Sequence, residues 1–269
     1  MRLKSFNDST RNYFQRVMDD WRPHMEVAHP YAENAAWQRN YIALQQWITD
    51  LKLDQRRVLE VGCGTGLLQH IVPNYVGTDL AATSAFYMHK PFCICSANFL
   101  PFADNSFEGL WTIWVLEHVQ HPGAMLDEMR RVVKPGGSVF ICAAYAVDSW
   151  ISQGIHKRTF RELPPRQRLI KLTIPIRASA PYKIILTLLR RLIHLVMYQV
   201  RRQPTRLWYR RLQPNYEVYW DYDADACVSL DSYSLTLYFL SRGDKPYYPA
   251  GVGRSLLQRS QPQAYIIRK

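Results

Sequence analysis

The sequence has few cysteines, and they do not form the patterns that build a disulfide framework or a zinc site. The five are odd in number, scattered and without a CxxC pair, which favours a reducing compartment. Cys93 and Cys95, in FCIC, would supply only half of the ligands of a structural zinc site. We therefore expect no metal bound through cysteine.

A long apolar run is missing from the N-terminal stretch MRLKSFNDSTRNYFQ, which has nothing of signal-peptide length. The sequence therefore predicts a cytoplasmic protein.

A complete calcium loop is also missing. The run WDYDADA places Asp221, Asp223 and Asp225 at alternate positions, but Ala226 stands where such a loop needs glycine and Ser232 where it needs glutamate. We interpret the run as a solvated acidic turn, one of whose carboxylates could touch a substrate, and expect no metal.

Acidic residues are scarce in one segment. Between His156 and Arg211 there are fifteen Lys or Arg and one acid, Glu162, so this segment has a formal charge of +14 in a chain of net charge +12. Such local basicity predicts a local anionic partner, either lipid headgroups or phosphates.

The order of apolar runs predicts an α/β fold. Residues 1–55 are interpreted as a helical cap, and residues 56–145 alternate short apolar runs with turns and helical stretches, which predicts a parallel sheet covered by helices. Residues 146–228 form a basic insertion, and residues 229–269 supply a last helix and strands that complete the core.

Two helices have clear boundaries in the sequence. One begins near HPGA, places Met125, Met129, Val132 and Val133 on one face and ends at KPGG. The other follows Asp231, a suitable N-cap, and stops at Gly243. The final QAYIIRK is predicted to be a strand.

The run VLEVGCGTG, residues 58–66, places three glycines directly after a predicted strand. Its G-x-G-x-G spacing differs from the G-x-G-x-x-G of dinucleotide sites. Asp79 ends the next predicted strand, seventeen residues after Gly62, where a carboxylate can accept from both ribose hydroxyls. A tight turn without a ligand and a helix N-cap are the alternative interpretations.

Four motifs in this order carry a resemblance: VLEVGCGTG, GTDL, LPFADNSFEGLWTIWVLEHV and MRRVVKPGGSVFI. Over residues 56–145 they resemble the class I S-adenosylmethionine-dependent methyltransferases, of the methyltransferase type 11-like group. The resemblance implies a Rossmann-like three-layer sandwich. Its sheet would have seven mostly parallel strands with an antiparallel final strand, to which this chain adds a helical basic insertion.

The resemblance also implies S-adenosylmethionine as cofactor. Glu60 would help to organise its amino-acid end, Asp79 would bind the ribose, and Ser96 stands where the family usually has an aspartate that accepts from the adenine amino group. We therefore expect weaker selection of adenine. Trp114 is either a wall of the methionine end or a core tryptophan. The candidate cofactor-binding residues are Glu60, Gly62, Cys63, Gly64, Gly66, Asp79, Leu80, Ser96, Ala97, Asn98, Phe99 and Trp114.

Methyl transfer to a hydroxyl benefits from a general base, which is often histidine. His118, in LEHV just beyond the fourth predicted strand, is the candidate, although in this family the same histidine often serves helix packing. His121 and Tyr145 are weaker candidates. We expect O-methylation of a small-molecule or lipid-like acceptor. The alternatives are an RNA methyltransferase, for which the Asn-Pro-Pro-aromatic motif is missing, and a non-catalytic membrane-surface protein.

Residues 183–202, KIILTLLRRLIHLVMYQVRR, are predicted to form a basic amphipathic helix. Two arginines near its middle outweigh its apolar residues, so spanning a bilayer is disfavoured. It could lie on an anionic membrane surface at the inner face of the membrane, pack as a lid on the sheet or on a second subunit, or bind RNA phosphates. Its polar side is predicted to contain Lys183, Thr187, Arg190, Arg191, His194, Arg201 and Arg202.

Overall fold

The computed structural model describes residues 35–200, 203–215, 223–248 and 262–269, together with Asn12, Gln15, Arg16 and Leu256. The six α-helices of these residues are α1 (Ala35–Asp50), α2 (Pro122–Val132), α3 (Ser149–Ser152), α4 (Pro165–Ala178), α5 (Ala180–Val200) and α6 (Ser232–Leu240). The strands are β1 (Val58–Val61), β2 (Tyr75–Asp79), β3 (Phe92–Ile94), β4 (Phe107–Ile113), β5 (Val133–Cys142), β6 (Tyr209–Arg211), β7 (Val228–Leu230), β8 (Lys245–Pro246) and β9 (Gln263–Ile266).

Seven strands form the main sheet in the order β3-β2-β1-β4-β5-β9-β8. The pairs from β3 through to β5 are parallel, and β9 runs antiparallel to β5. All four residues of β1 are buried, as expected for a central strand covered on both faces. The predicted Rossmann-like architecture is confirmed, and the carboxyl ends of β1, β2 and β4 meet at one edge of the sheet.

The crossovers contain less α-helix than the sequence pattern suggests. Turns over residues 64–70 lead from β1 towards β2, and a 3-10 helix, Ala82–Tyr87, lies between β2 and β3. The helix predicted from HPGA is α2, but placing Val133 on it was wrong. Val133 pairs with Phe107 as the first residue of β5, because sheet pairing outweighs the helical continuation there.

Helix α1 lies in the N-terminal segment that was predicted to be helical. Its residues Leu44 and Trp47 are fully buried, and the indole Nε1 of Trp47 donates to the Ser138 Oγ of β5 at 3.0 Å. The prediction for the preceding residues lies outside the described ones.

The described chain forms two compact units. The first contains the described residues up to Val115, Ala124–Cys142 and Pro262–Ile267, and the second contains the remaining described residues. The division into four segments made from the sequence stays a prediction.

In the second unit, α6 begins and ends as predicted. The Asp231 carboxylate accepts from the Tyr233 N–H at 3.1 Å, and Gly243, with a φ of 82°, follows the helix end. Within the described part of the chain no single helix has the length and apolar content to cross a membrane. Helices α4 and α5 meet that test only as a pair, and they are bent by 88°.

Helix α5 has the predicted two sides, and Arg191 and His194 of its polar side are turned inwards whereas Arg190 is exposed. Arg191 is 6% exposed, and its guanidinium donates to the Asp231 carboxylate at 2.6 and 3.0 Å and to the Ser232 Oγ at 3.1 Å. The His194 ring packs against Trp208 at 4.3 Å. Arg191, which was predicted to lie on the polar side, is therefore buried with its charge neutralised inside the unit.

Lys183 is partly turned inwards too, since it forms an ion pair with Asp148 at 2.8 Å. The predicted positions Arg201 and Arg202 lie outside the described residues.

Candidate functional site

The glycine loop after β1 adopts a backbone that side chains would prevent. Gly62, Gly64 and Gly66 have φ values of 76°, 52° and 71°, in the left-handed region that favours glycine. A Cβ at Gly62 would lie 2.2 Å from a methyl of Val115, whereas a Cβ at Gly64 would meet no atom within 4 Å. The loop therefore packs closely at its first glycine and presents bare backbone to open space at its second.

Asp79, at the end of β2, holds this loop. Its Oδ2 accepts from the Gly64 N–H at 2.8 Å and its Oδ1 from the Ala81 N–H at 2.9 Å. Each oxygen keeps a further lone pair for another donor. Burial raises the pKa of Asp79, and the two N–H groups offset part of that shift. Two hydroxyls of a ribose are suitable partners for a carboxylate fixed in this way.

The Glu60 side chain is buried in β1 and accepts a hydrogen bond from the Tyr75 hydroxyl. Burial raises its pKa to about 8, and the bond from Tyr75 offsets only part of the shift. β1 continues to Val61. The buried thiol of Cys63 follows in the loop, and burial raises its pKa as well. The role of Glu60 towards a cofactor stays a prediction.

The turn after β3 contains a buried side-chain oxygen, the Oδ1 of Asn98, that accepts no hydrogen bond from the described residues. The Ser96 Oγ accepts from the Asn98 N–H at 3.3 Å, whereas the Asn98 Oδ1 is buried and has no hydrogen-bond partner among the described residues. Buried polar atoms normally find partners. Asn98 was predicted to line the site, but the sequence did not single out its amide as an acceptor. The nearby Leu80 and Ala97 are partly buried, and Phe99 is 79% exposed.

Trp114 follows β4 in a conformation that is rare for a bulky residue. Its φ is 55°, and such backbone strain costs about 1–3 kcal/mol and is found most often at functional sites. Its N–H donates to the Cys142 carbonyl at 2.8 Å, and its ring lies 5.7 Å from that of Trp37. The ring is only partly buried, which favours a wall of a site over a core position.

In the second unit, His118 belongs to a short 3-10 helix, Leu116–His118. Its Nδ1 lies 3.6 Å from the Asp225 carboxylate. Burial lowers the pKa of His118, but the carboxylates of Asp225 and Glu117 outweigh that effect, so the pKa is raised. Glu117 is fully buried, and its Oε1 accepts from the Ala144 N–H at 3.0 Å. The sequence had indicated neither carboxylate as a partner of this histidine.

The acidic turn is less solvated than predicted. The Asp225 side chain is 13% exposed because it faces His118, so the interpretation as a solvated turn is wrong for this residue. Asp221 lies outside the described residues. In the described ranges, no three His, Cys, Asp or Glu side chains are grouped so as to hold a metal ion.

Comparison with known proteins relates the chain to methyltransferases. Residues 59–141 match the family model of the methyltransferase domain. The ubiquinone/menaquinone biosynthesis C-methyltransferase UbiE of Cupriavidus necator is 38% identical over 74 residues, which cover 28% of this chain and 30% of that protein. An uncharacterised protein of Methanocaldococcus jannaschii is 33% identical over 123 residues, 44% of this chain and 49% of that protein.

Among solved structures, the [4+2]-cyclase SpnF is 25% identical, with a TM-score of 0.35 over 43% of this chain and 49% of that one. The chain thus spans between about a third and a half of the length of these two curated relatives.

Proposed function

Because residues 59–141 belong to the class I S-adenosylmethionine-dependent methyltransferase family, we propose that this protein moves a methyl group to a hydroxyl of a small-molecule or lipid-like acceptor. The observation that carries the proposal is the fixed Asp79 carboxylate beside the open backbone of Gly64. These residues fit an adenosyl cofactor, since the carboxylate can bind its ribose and the bare loop leaves room for its amino-acid part. Bound S-adenosylmethionine supplies an electrophilic methyl group on its sulfonium.

The adenine amino group has a suitable acceptor in this chain. The buried Asn98 Oδ1 has no hydrogen-bond donor among the described residues, and the Ser96 Oγ already accepts from the Asn98 N–H. We therefore assign adenine recognition to the Asn98 amide together with Ser96. This assignment replaces the charged acceptor that is usual in the family by a neutral one.

The acceptor class rests on one relative and one chemical argument. The name of the Cupriavidus necator relative places it in quinone biosynthesis but makes it a C-methyltransferase, so it supports a quinone-like acceptor. O-methylation depends on the chemical argument alone, that a quinol offers hydroxyl groups. The shared part covers 28% of this chain, so the relative supports methyl transfer more strongly than any particular acceptor.

The test of the activity is incubation with methyl-labelled S-adenosylmethionine and fractionated lipids, small metabolites and RNA. Label in the lipid or metabolite fraction supports the proposal. Label confined to RNA would favour the nucleic-acid alternative. Cofactor binding by calorimetry without label in any fraction would favour a non-catalytic protein.

We assign the general base to His118, whose neutral imidazole would take the proton from the acceptor hydroxyl. Asp225 holds and stabilises the imidazolium that results. Loss of such a base typically slows a reaction about 10²–10⁴-fold, and we expect a fall of that size in kcat for His118→Gln. The control is His70→Gln, which changes an exposed histidine of the first unit.

The pH dependence separates this role from a packing role. Asp225 raises the pKa of His118, so Asp225→Asn should move the acid limb of kcat/KM to lower pH. A mere packing role would lower activity or stability without moving this limb.

A further inference from the structure

The outward side of α5 is a continuous row of apolar side chains. Its members recur every three or four residues, as one face of a helix requires, and each is 48–75% exposed. They are Ile185, Leu189, Leu192, Ile193, Val196 and Val200. Such a row is unusual on a protein surface and marks an interaction site or a liability to aggregate.

Helix α4, which is bent by 88° relative to α5, also exposes apolar side chains. Leu169, Leu172 and Ile176 are spaced by three and four residues and are 63–65% exposed. On its inward side, the Lys171 ammonium donates to main-chain carbonyls, among them that of His156 at 3.0 Å. On both helices apolar side chains are therefore exposed while Lys171 and Arg191 are turned inwards, and Arg168 and Arg190 stay exposed. We call the nine exposed side chains of α4 and α5 the apolar stripe.

Arginines border the apolar stripe. Arg177 follows Ile176 in α4, and Arg190 follows Leu189 in α5. Partial burial lowers the pKa of Arg210, on β6, and the nearby positive charges of Arg190 and Arg177 lower it further. Among the described residues none of the three arginines forms an ion pair with a carboxylate, and the nearby Asp148 is paired with Lys183. The edge of the stripe therefore carries a cluster of cations without bound anions.

We propose that the apolar stripe and the cluster of Arg177, Arg190 and Arg210 form a docking surface for an anionic membrane. The stripe would enter the boundary between headgroups and acyl chains, and the arginines would bind lipid phosphates, as in helices that lie in the plane of a bilayer. An anionic membrane would use both the apolar stripe and the cluster of arginines. RNA would use the cations but not nine exposed apolar side chains, and a second copy would bring like charges together.

The proposal is independent of methyl transfer and can be tested without cofactor. The full chain is sedimented with phosphatidylcholine vesicles with and without phosphatidylglycerol. We expect binding to the anionic vesicles alone, weakened by salt because the headgroup contacts are screened. Leu189→Asp and Val196→Asp should each reduce the bound fraction about tenfold or more, since they place charge in the apolar boundary. Arg190→Glu should do the same by removing one cation and adding an anion.

Two substitutions in the first unit are matched controls. Ile42→Asp changes an α1 side chain that is 62% exposed, and Arg39→Glu reverses an exposed charge on the same helix. Neither should alter vesicle binding. Circular dichroism of every variant verifies that α4 and α5 are retained.

Three results would overturn the proposal. The first is no binding to either vesicle type. The second is a dimer by light scattering that Leu189→Asp dissociates, without vesicle binding, which would assign the stripe to a second copy. The third is binding of RNA that Arg190→Glu abolishes and Leu189→Asp preserves, with no binding to vesicles, which would assign the cations to nucleic acid.

Discussion

The glycine loop of the first unit and the helices α4 and α5 of the second handle polar groups in opposite ways. In the loop, the Asp79 carboxylate and the Gly64 N–H satisfy each other at an open edge of the sheet. In α5, the Arg191 charge is satisfied inside the unit and the apolar side is left outside. The first arrangement fixes polar groups at an open edge of the sheet, whereas the second leaves an apolar surface exposed.

The largest expected effect tests the inward side of α5. Arg191→Met would leave the Asp231 carboxylate without its main cation, and breaking such a buried pair costs about 3–5 kcal/mol. Arg190→Met, at the next position, changes an exposed side chain, and we expect a change within about 0.5 kcal/mol. Urea denaturation measures both free energies of unfolding. Equal small losses for the two variants would mean that Arg191 is not held in a buried ion pair. That result would contradict the contrast between the glycine loop and α5.

The second effect concerns the loop. Asp79→Ala removes the carboxylate assigned to the ribose, and two hydrogen bonds to a charged group are together worth about 3 kcal/mol or more. We expect cofactor affinity to fall about 100-fold or more in calorimetry. Asp79→Asn keeps one acceptor oxygen and should give an intermediate affinity. An unchanged titration for Asp79→Ala would refute the placement of the ribose.

The two regions also differ in how far the sequence predicted them. The parallel sheet, and the places of the glycine loop and Asp79 at the ends of its strands, were predicted from apolar runs and glycine spacing, because parallel strands end at one edge. The hydrogen bond between Gly64 and Asp79 was not predicted. The periodicity of α5 correctly separated two sides, but it could not show which side faces inwards. That depends on the ion pair between Arg191 and Asp231, forty positions apart, which no local pattern contains.

Within the site the same limit applies. Asp225, which faces His118, lies more than one hundred residues further along the chain. That the buried Asn98 Oδ1 has no donor among the described residues depends on the folded surroundings of this side chain. The early start of β5 at Val133 depends on its pairing with Phe107 rather than on local propensity.

A third prediction compares two glycines of the loop. Both have positive φ, which costs an alanine about 1 kcal/mol. Gly62→Ala should lose about 2 kcal/mol more than Gly64→Ala, because its Cβ would lie 2.2 Å from Val115 whereas that of Gly64 meets nothing. Thermal unfolding compares the two variants. Gly64→Ala should instead reduce cofactor affinity, since its methyl enters the open space. If the two variants lose equal stability, the close approach of Val115 to Gly62 does not constrain this position.

The last prediction concerns the pH dependence that buried Glu60 gives to stability. Its pKa is raised from 4.5 to about 8 in the folded chain, so between these values the folded state holds a proton that the unfolded state has released. Stability contributed by this group is therefore present below pH 4.5 and is lost as pH rises towards 8, with a slope of at most about 1.4 kcal/mol per pH unit. Glu60→Gln should remove that slope, as measured by urea denaturation at several pH values.

Glu108→Gln is the matched control on β4. Partial burial raises the pKa of Glu108, but the Lys134 ammonium outweighs it and the pKa is lowered. The stability that ionised Glu108 contributes is present above the unfolded pKa and is lost only in acid. Glu108→Gln should therefore leave the slope of the free energy of unfolding unchanged from pH 5.5 to 8. If Glu60→Gln and wild type had the same slope over that window, the Glu60 carboxyl would be ionised beneath the loop. The site would then contain two negative charges, Glu60 and Asp79, and it would favour the positively charged sulfonium cofactor over its neutral thioether product more strongly than a site with one.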